Sequence, residues 1–184
     1  MSINLEKGQK IALDESLKSV SMRLGWDVST GFFGGKSDID LDASCAMFDD
    51  ENNIISTVSF RNKSTFGGFI QHSGDNLTGK GDGDDEIISI KLNLLPSIVK
   101  SIVFVVTSYR GQTFDKVNNC FSRLVDESNG TEISRYKLSE KGSHTALIMS
   151  KLYRHNGVWK MASIGQSLNA SEISQSISTI KTFL

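Results

Sequence analysis

Apolar and polar residues alternate with a period of two through most of this chain, and that pattern leaves few architectures open. Val20, Met22, Leu24, Trp26 and Val28 alternate with polar or small residues, as do Ile39, Leu41, Ala43, Cys45 and Met47. Successive side chains of an extended chain point to opposite faces, so such runs build half-buried strands. Further runs occupy residues 54–60, 87–94, 101–109, 117–125, 131–138, 145–153 and 157–164. Turn residues separate them: Glu51-Asn52-Asn53, Ser128-Asn129-Gly130 and His155-Asn156-Gly157, whose Asn-Gly pair favours a tight hairpin. Short strands with few helical patterns predict an all-β fold, an antiparallel β-sandwich of two sheets with short helical elements. The tail is the main helical candidate. Ile173, Ile177, Ile180 and Leu184 recur at helical spacing behind Ser171, predicting a short amphipathic C-terminal helix capped by that serine. A chain of 184 residues with no linker or repeat is expected to form one domain over 1–184.

Charge is gathered in two places. Residues 37–51 carry Asp38, Asp40, Asp42, Asp49, Asp50 and Glu51 without a base, and 74–86, GDNLTGKGDGDDE, adds Asp75, Asp82, Asp84, Asp85 and Glu86. Eleven of the 21 acids therefore fall in these two stretches, although the formal net charge is only -1. On a strand, Asp38, Asp40 and Asp42 share one face at intervals of about 7 Å. Glycines 74, 79, 81 and 83 let the second stretch fold back and expose carbonyls beside the oxygens of Asp75, Asn76 and Thr78. Many hard oxygen donors on a glycine-rich loop suit Ca²⁺ better than Mg²⁺, and the near absence of Cys and His (His72 lies at the margin) disfavours zinc or copper. A solvated acidic turn accounts for the same residues.

Two familiar phosphate and calcium motifs are only approached. Thr30-Gly31-Phe32-Phe33-Gly34-Gly35-Lys36-Ser37 ends like a P-loop, but Thr30 replaces its first glycine and a strand-like DIDLDAS follows. Asp38, Asp40, Asp42 and Asp49 fall at EF-hand positions, yet Ala43 stands where the sharp turn needs glycine and Asp49 where a bidentate Glu belongs. His72, His144 and His155 are scattered and no serine lies in a GxSxG elbow. Basic residues form no runs, so nucleic acid is not an expected partner. Cys45 and Cys120 form no CxxC and read as buried, reduced thiols. No apolar run reaches membrane-spanning length, and the first residues lack the pattern of a secretory signal. A cytoplasmic location is expected.

The stretches LGWDV (24–28), DIDLDAS (38–44), GDNLTGKGDGDDE (74–86) and LYRHNGVWKMASIG (152–165) resemble the TerD family of tellurium-resistance and stress-response proteins. GQTFDKVNNCFSRLVDE (111–127) and GSHTALIMSKLYRHNG (142–157) resemble its TerZ branch in particular. The resemblance implies a β-sandwich binding Ca²⁺, more than one ion, through its acidic stretches. By matching positions the implied metal residues are Asp40 and Asp42 of DLDAS, then Asp75, Asn76, Asp82, Asp84, Asp85 and Glu86, with Asp27 of GWDV as a further candidate. It also implies a non-enzymatic role in bacterial tellurite, phage and colicin resistance, with other tellurium-resistance proteins, membrane-associated ones among them, as partners. Leu77 and Lys80 depart from the GDNRTGEGDGDDE expected of the family, and after Gly165 the Ser/Ile pattern of the tail replaces its glycine-rich ending.

The leading expectation is thus a calcium-binding stress protein whose ordered 74–86 loop meets a partner. A calcium-dependent phospholipid-binding module, using Phe66, Phe69 and Lys80 beside the metal, is a second. A metal-dependent phosphoester hydrolase is a third, for which no general base or phosphate clamp is evident.

Overall fold

The structure is a computed structural model and describes residues 2–28, 39–74, 83–138 and 142–184. Thirteen strands are present among them: β1 (Ile3–Leu5), β2 (Lys10–Ala12), β3 (Val20–Val28), β4 (Leu41–Phe48), β5 (Ile54–Val58), β6 (Ser64–Thr65), β7 (Ile70–His72), β8 (Glu86–Ile90), β9 (Ser101–Ser108), β10 (Val117–Asp126), β11 (Glu132–Lys137), β12 (Ala146–His155) and β13 (Val158–Leu168). They form two sheets, ordered β1-β11-β10-β3-β8-β7-β6 and β2-β13-β12-β9-β4-β5. Pairing is antiparallel throughout except where β1 runs parallel to β11. The expected β-sandwich is the fold.

Alternation decides the core. Val20, Met22, Leu24 and Trp26 of β3 and Leu41, Ala43, Cys45 and Met47 of β4 enter one apolar cluster between the sheets. The hairpin predicted from Asn156-Gly157 joins β12 to β13, pairing His155 with Val158 across residues at φ 53° and 81°. The segment read as one strand over 87–94 divides: β8 ends at Ile90 and a 3₁₀ turn covers Leu92–Leu94. Four very short strands, β1, β2, β6 and β7, were invisible to a pattern needing several alternations.

The outer face of the second sheet is apolar as well. Ala46, Phe48, Val103, Val105, Ile148 and Ile164 form a second cluster with Ile173 and Ile180 of the tail, and Ile177, Phe183 and Leu184 pack around it. The tail is helical as expected but built differently. A 3₁₀ turn (Ile173–Ser176) leads into one α-turn (Ile177–Ile180) and another 3₁₀ turn (Lys181–Phe183). Ser171 is not its cap. Glu172 occupies that position in extended conformation with no side-chain capping bond, while the Ser171 backbone N–H is taken by the Gln175 side chain. Thr145 pins the start of the tail through Ala170 (2.9 and 3.1 Å), and the Lys151 ammonium donates to the Phe183 carbonyl. Burial lowers the pKa of that lysine, and the charge of Lys10 adds to the effect.

Candidate functional site

The thirteen-residue acidic stretch springs from a closed base. Ser73 donates its N–H to the Ile87 carbonyl (2.8 Å), and Ile87 N–H returns to Ser73 Oγ (3.0 Å). Of the predicted site residues in this stretch, Asp75, Asn76 and Asp82 lie outside the described residues, as do Lys80 and Asp38. Asp84, Asp85 and Glu86 are described, and three different environments hold them.

Asp84 is gripped by arginines. Arg23, Arg123 and Arg135 are registered side by side on β3, β10 and β11. Their neighbours Met22, Leu24, Leu124 and Tyr136 lie in the core, so alternation puts this arginine row on the outer face of the first sheet. Arg123 binds Asp84 through Nε and Nη2 at 2.7 and 2.6 Å, and Arg23 Nη1 adds a bond at 3.2 Å. Glu127 holds Arg23, and Glu132 bridges Arg123 to Arg135. The guanidinium ions beside it hold the Glu132 carboxyl down at about 2, hydrogen bonding to Arg135 being the largest cause. The same partners push the Arg123 pKa up, its hydrogen bond to Asp84 foremost.

Glu86 points the other way, into the sandwich, and is fully buried. The pairing of β4 with β5 stops at Cys45, leaving the Ala43 backbone without a ladder partner on that side. Two side chains take the missing strand's place. Glu86 Oε2 accepts the Ala43 N–H (2.5 Å), and His72 Nε2 lies 3.1 Å from the Ala43 carbonyl and 3.3 Å from the same carboxylate. His72 Nδ1 accepts from Gly74 N–H (3.0 Å), so the proton sits on Nε2, which donates to Ala43. This buried group ties the start of the acidic loop and its last residue to the strand that carries Asp42.

Asp85 closes the loop against β3: it accepts from Trp26 N–H (3.0 Å) and donates its own N–H to the Leu24 carbonyl (2.7 Å). Burial is the first cause that raises its pKa, and the charges of Asp27 and Asp84 raise it further. Asp27 is exposed on β3 and accepts from Asn119 Nδ2 (2.7 Å). Asp42 lies on β4 of the second sheet and Asp40 just before that strand, and both are buried. Arg110 Nε stands 3.5 Å from Asp40. Asp42 shares the outer face with Ala46 and Phe48, and lines a cavity of about 220 Å³ with Thr107, Tyr109 and Ser171–Ser174 of the tail. Among the described residues no three His, Cys, Asp or Glu side chains come together as a metal-binding group. The described acids therefore fit a cation only in part. Asp84 is committed to arginine and Glu86 to Ala43, so Asp85 is the described member of the loop standing among like charges.

Other readings lose ground here. Phe66 and Phe69, offered above for membrane insertion, are half-buried and pack against the core. Cys45 and Cys120 are both free and buried. Burial pushes the Cys45 thiol up to about 12, and Cys120 higher still, with the Asp85 charge contributing. Neither offers a thiolate at neutral pH. No helix among the described residues is long and apolar enough to cross a membrane.

The arginine row is not legible in the sequence. Arg23, Arg123 and Arg135 each sit at an outward position of an alternating run, but nothing local says that β3, β10 and β11 place them abreast.

The TerD domain matches residues 1–176 of this chain. The chain belongs to the TerD domain family. It is 42% identical to tellurium resistance protein TerZ of Serratia marcescens over 180 residues, covering 93% of either chain. It is also 42% identical to general stress protein 16U of Bacillus subtilis (strain 168) over 176 residues, 90% of either chain. These relatives are named for resistance and stress, not for an enzymatic reaction. Among solved structures, a homologue of telluride resistance protein (TerD), SCO6318 from Streptomyces coelicolor A3(2), superposes with a TM-score of 0.74 at 20% identity, covering 90% of this chain and 98% of that one. That likeness shows the fold. The tail from Ile177 onward, which covers the second sheet, lies beyond the family match.

Proposed function

We propose that this member of the TerD family is a non-catalytic, calcium-binding stress protein of a bacterial tellurite-resistance system. In this reading the 74–86 loop is the part that responds to the ion. The observation that carries the reading is the crowding at Asp85. Its carboxylate is held partly out of water beside the charges of Asp27 and Asp84, in a loop that is closed at its base. Asp85, with Asp75, Asn76 and Asp82, is the donor set assigned to the cation; hard oxygen donors of this kind suit Ca²⁺. When bound, calcium supplies positive charge that offsets the mutual repulsion of these groups and stabilises the fold by mass action. The chain's own contribution is rigidity on either side. Arg123 and Arg23 fix Asp84, and the His72–Glu86 pair ties the ordered loop to the strand bearing Asp42, so that the loop presents one surface to a partner protein in the cytoplasm.

Thermal unfolding in Ca²⁺ or Mg²⁺ tests this. The melting temperature should rise with millimolar Ca²⁺ and not with equal Mg²⁺, and Asp82→Asn with Asp85→Asn should remove the rise. An unchanged melting temperature in Ca²⁺ would sink the reading. Asp84→Asn is a poor probe because it also loosens two arginines.

A further inference from the structure

A cavity of about 400 Å³ opens beside the acidic loop, whose Gly83 lines it together with Asp27, and core residues Trp26, Val117 and Leu138 reach its wall. Its size falls in the range of small-molecule sites. A β-bulge makes the room: between Asn118 and Phe121 the register of β10 against β3 slips by one residue. Asn119 sits in that bulge with φ 49°, a left-handed conformation that asparagine adopts more readily than most residues, and its amide is turned onto Asp27. A bulge re-aims the side chain it carries.

The floor is apolar and built around Phe121. That ring lies on Gly25, where any Cβ would come within 2.5 Å of both the ring and the Gly83 carbonyl, so the seat exists only because residue 25 is glycine. The Arg135 guanidinium carbon lies 4.2 Å from the ring centroid, and Glu132 neutralises that charge. Val117 and Leu138 extend the floor. Two opposite charges remain on the walls. Asp27 has one described hydrogen-bond donor, Asn119, and Lys137 makes no ion pair among the described residues. Gly25, Phe121 and Lys137 stand in one cross-strand row, with Asp27 two residues further along β3. Two strand spacings and two residue steps put the Cα atoms of Asp27 and Lys137 about 12 Å apart, a span that the long lysine side chain shortens.

We propose that this cavity binds a free α-amino acid with a large apolar side chain. Asp27 receives the ammonium group, Lys137 the carboxylate, and Phe121, Val117 and Leu138 the side chain. A simple anion would leave Asp27 facing it unfavourably, and a simple amine would meet Lys137, so the pair of walls selects a zwitterion.

Isothermal titration of the full chain with L-phenylalanine, 3-phenylpropionate and 2-phenylethylamine tests the assignment. L-Phenylalanine should bind, and each truncated analogue should bind at least about tenfold more weakly, the loss of one desolvated charge contact. Lys137→Ala should weaken L-phenylalanine by about tenfold and strengthen 2-phenylethylamine, whose ammonium no longer meets a like charge. Asp27→Asn should likewise weaken L-phenylalanine and strengthen 3-phenylpropionate. Both positions are exposed, so the variants keep the fold, which amide NMR spectra verify. Absence of L-phenylalanine binding to the unaltered chain overturns the proposal. So does equal binding of either analogue, which would reduce the cavity to an anion or an amine site.

Discussion

The two outer faces of this sandwich begin from the same alternation and end in opposite chemistries. On the first sheet the outward positions of β3, β10 and β11 carry Arg23, Arg123 and Arg135, laced by Asp84, Glu127 and Glu132. On the second they carry Ala46, Phe48, Val103, Val105 and Ile148, sealed beneath the tail. A charged face can stay in water and lend its arginines to the acidic stretch, here through Asp84. An apolar face must be covered, and here the chain's own last residues cover it. Stability should therefore be concentrated on one side and loop geometry on the other.

The sharpest way to break this contrast is at Ile180, which is fully buried. Ile180→Asp puts a charge into the second cluster and should cost on the order of 4 kcal/mol in urea unfolding, with new protease cleavage in residues 170–184. A loss no larger than that of an ordinary surface substitution would mean the tail is a passive lid. Asp84→Ala attacks the other face. It takes one carboxylate from two arginines that are about a quarter exposed and keep Glu127 and Glu132, so about 2 kcal/mol is expected, below the figure for a fully buried pair. Its larger effect should be on the loop: amide exchange at Gly83–Asp85 should quicken while the tail stays protected. Gly25→Ala, which forces Phe121 and the Gly83 carbonyl to move, should cost roughly 1–2 kcal/mol by the same measurement. Phe121→Leu in that background should recover part of it.

The smallest expected effect is on pH dependence. The Glu132 carboxyl is depressed in the folded chain to about 2 from an ordinary 4.5. A depressed acid stabilises the fold fully above its unfolded value, and that contribution drains away as pH falls from about 4.5 through about 2. Glu132→Gln should flatten the acid limb of the stability curve in this window, and salt should diminish the difference because the group is partly exposed.

Much of the fold was legible because burial imposes a period. Strands of eight or more residues, the Asn156-Gly157 hairpin and the apolar face of the tail all announce themselves within a short window. Two- and three-residue strands do not, since β6 and β7 contain too few residues to alternate. The tail's cap was misread because Ser171 has the right chemistry, but the chain does not turn helical until Ile173 and Gln175 reaches Ser171 first. At the site, Asp84, Asp85 and Glu86 are adjacent and look equivalent. Their roles separate only when β3, β4 and β10 arrive: arginines for Asp84, the Trp26 amide for Asp85, the Ala43 amide for Glu86.

Local sequence, then, determined what each residue brings: strand periodicity, the location of negative charge, the helical phase of the tail, and enough motif to place the chain in its family. Tertiary structure decided which of those groups meet. Register put three arginines abreast, an interrupted β4–β5 ladder called on Glu86 and His72, and one bulge in β10 opened a cavity over Gly25. The physical reason is range. Alternation and turn chemistry act over a few bonds, whereas ion pairs and cavities join residues tens of positions apart. Which partners they take depends on the sheet order that buries the whole core at once.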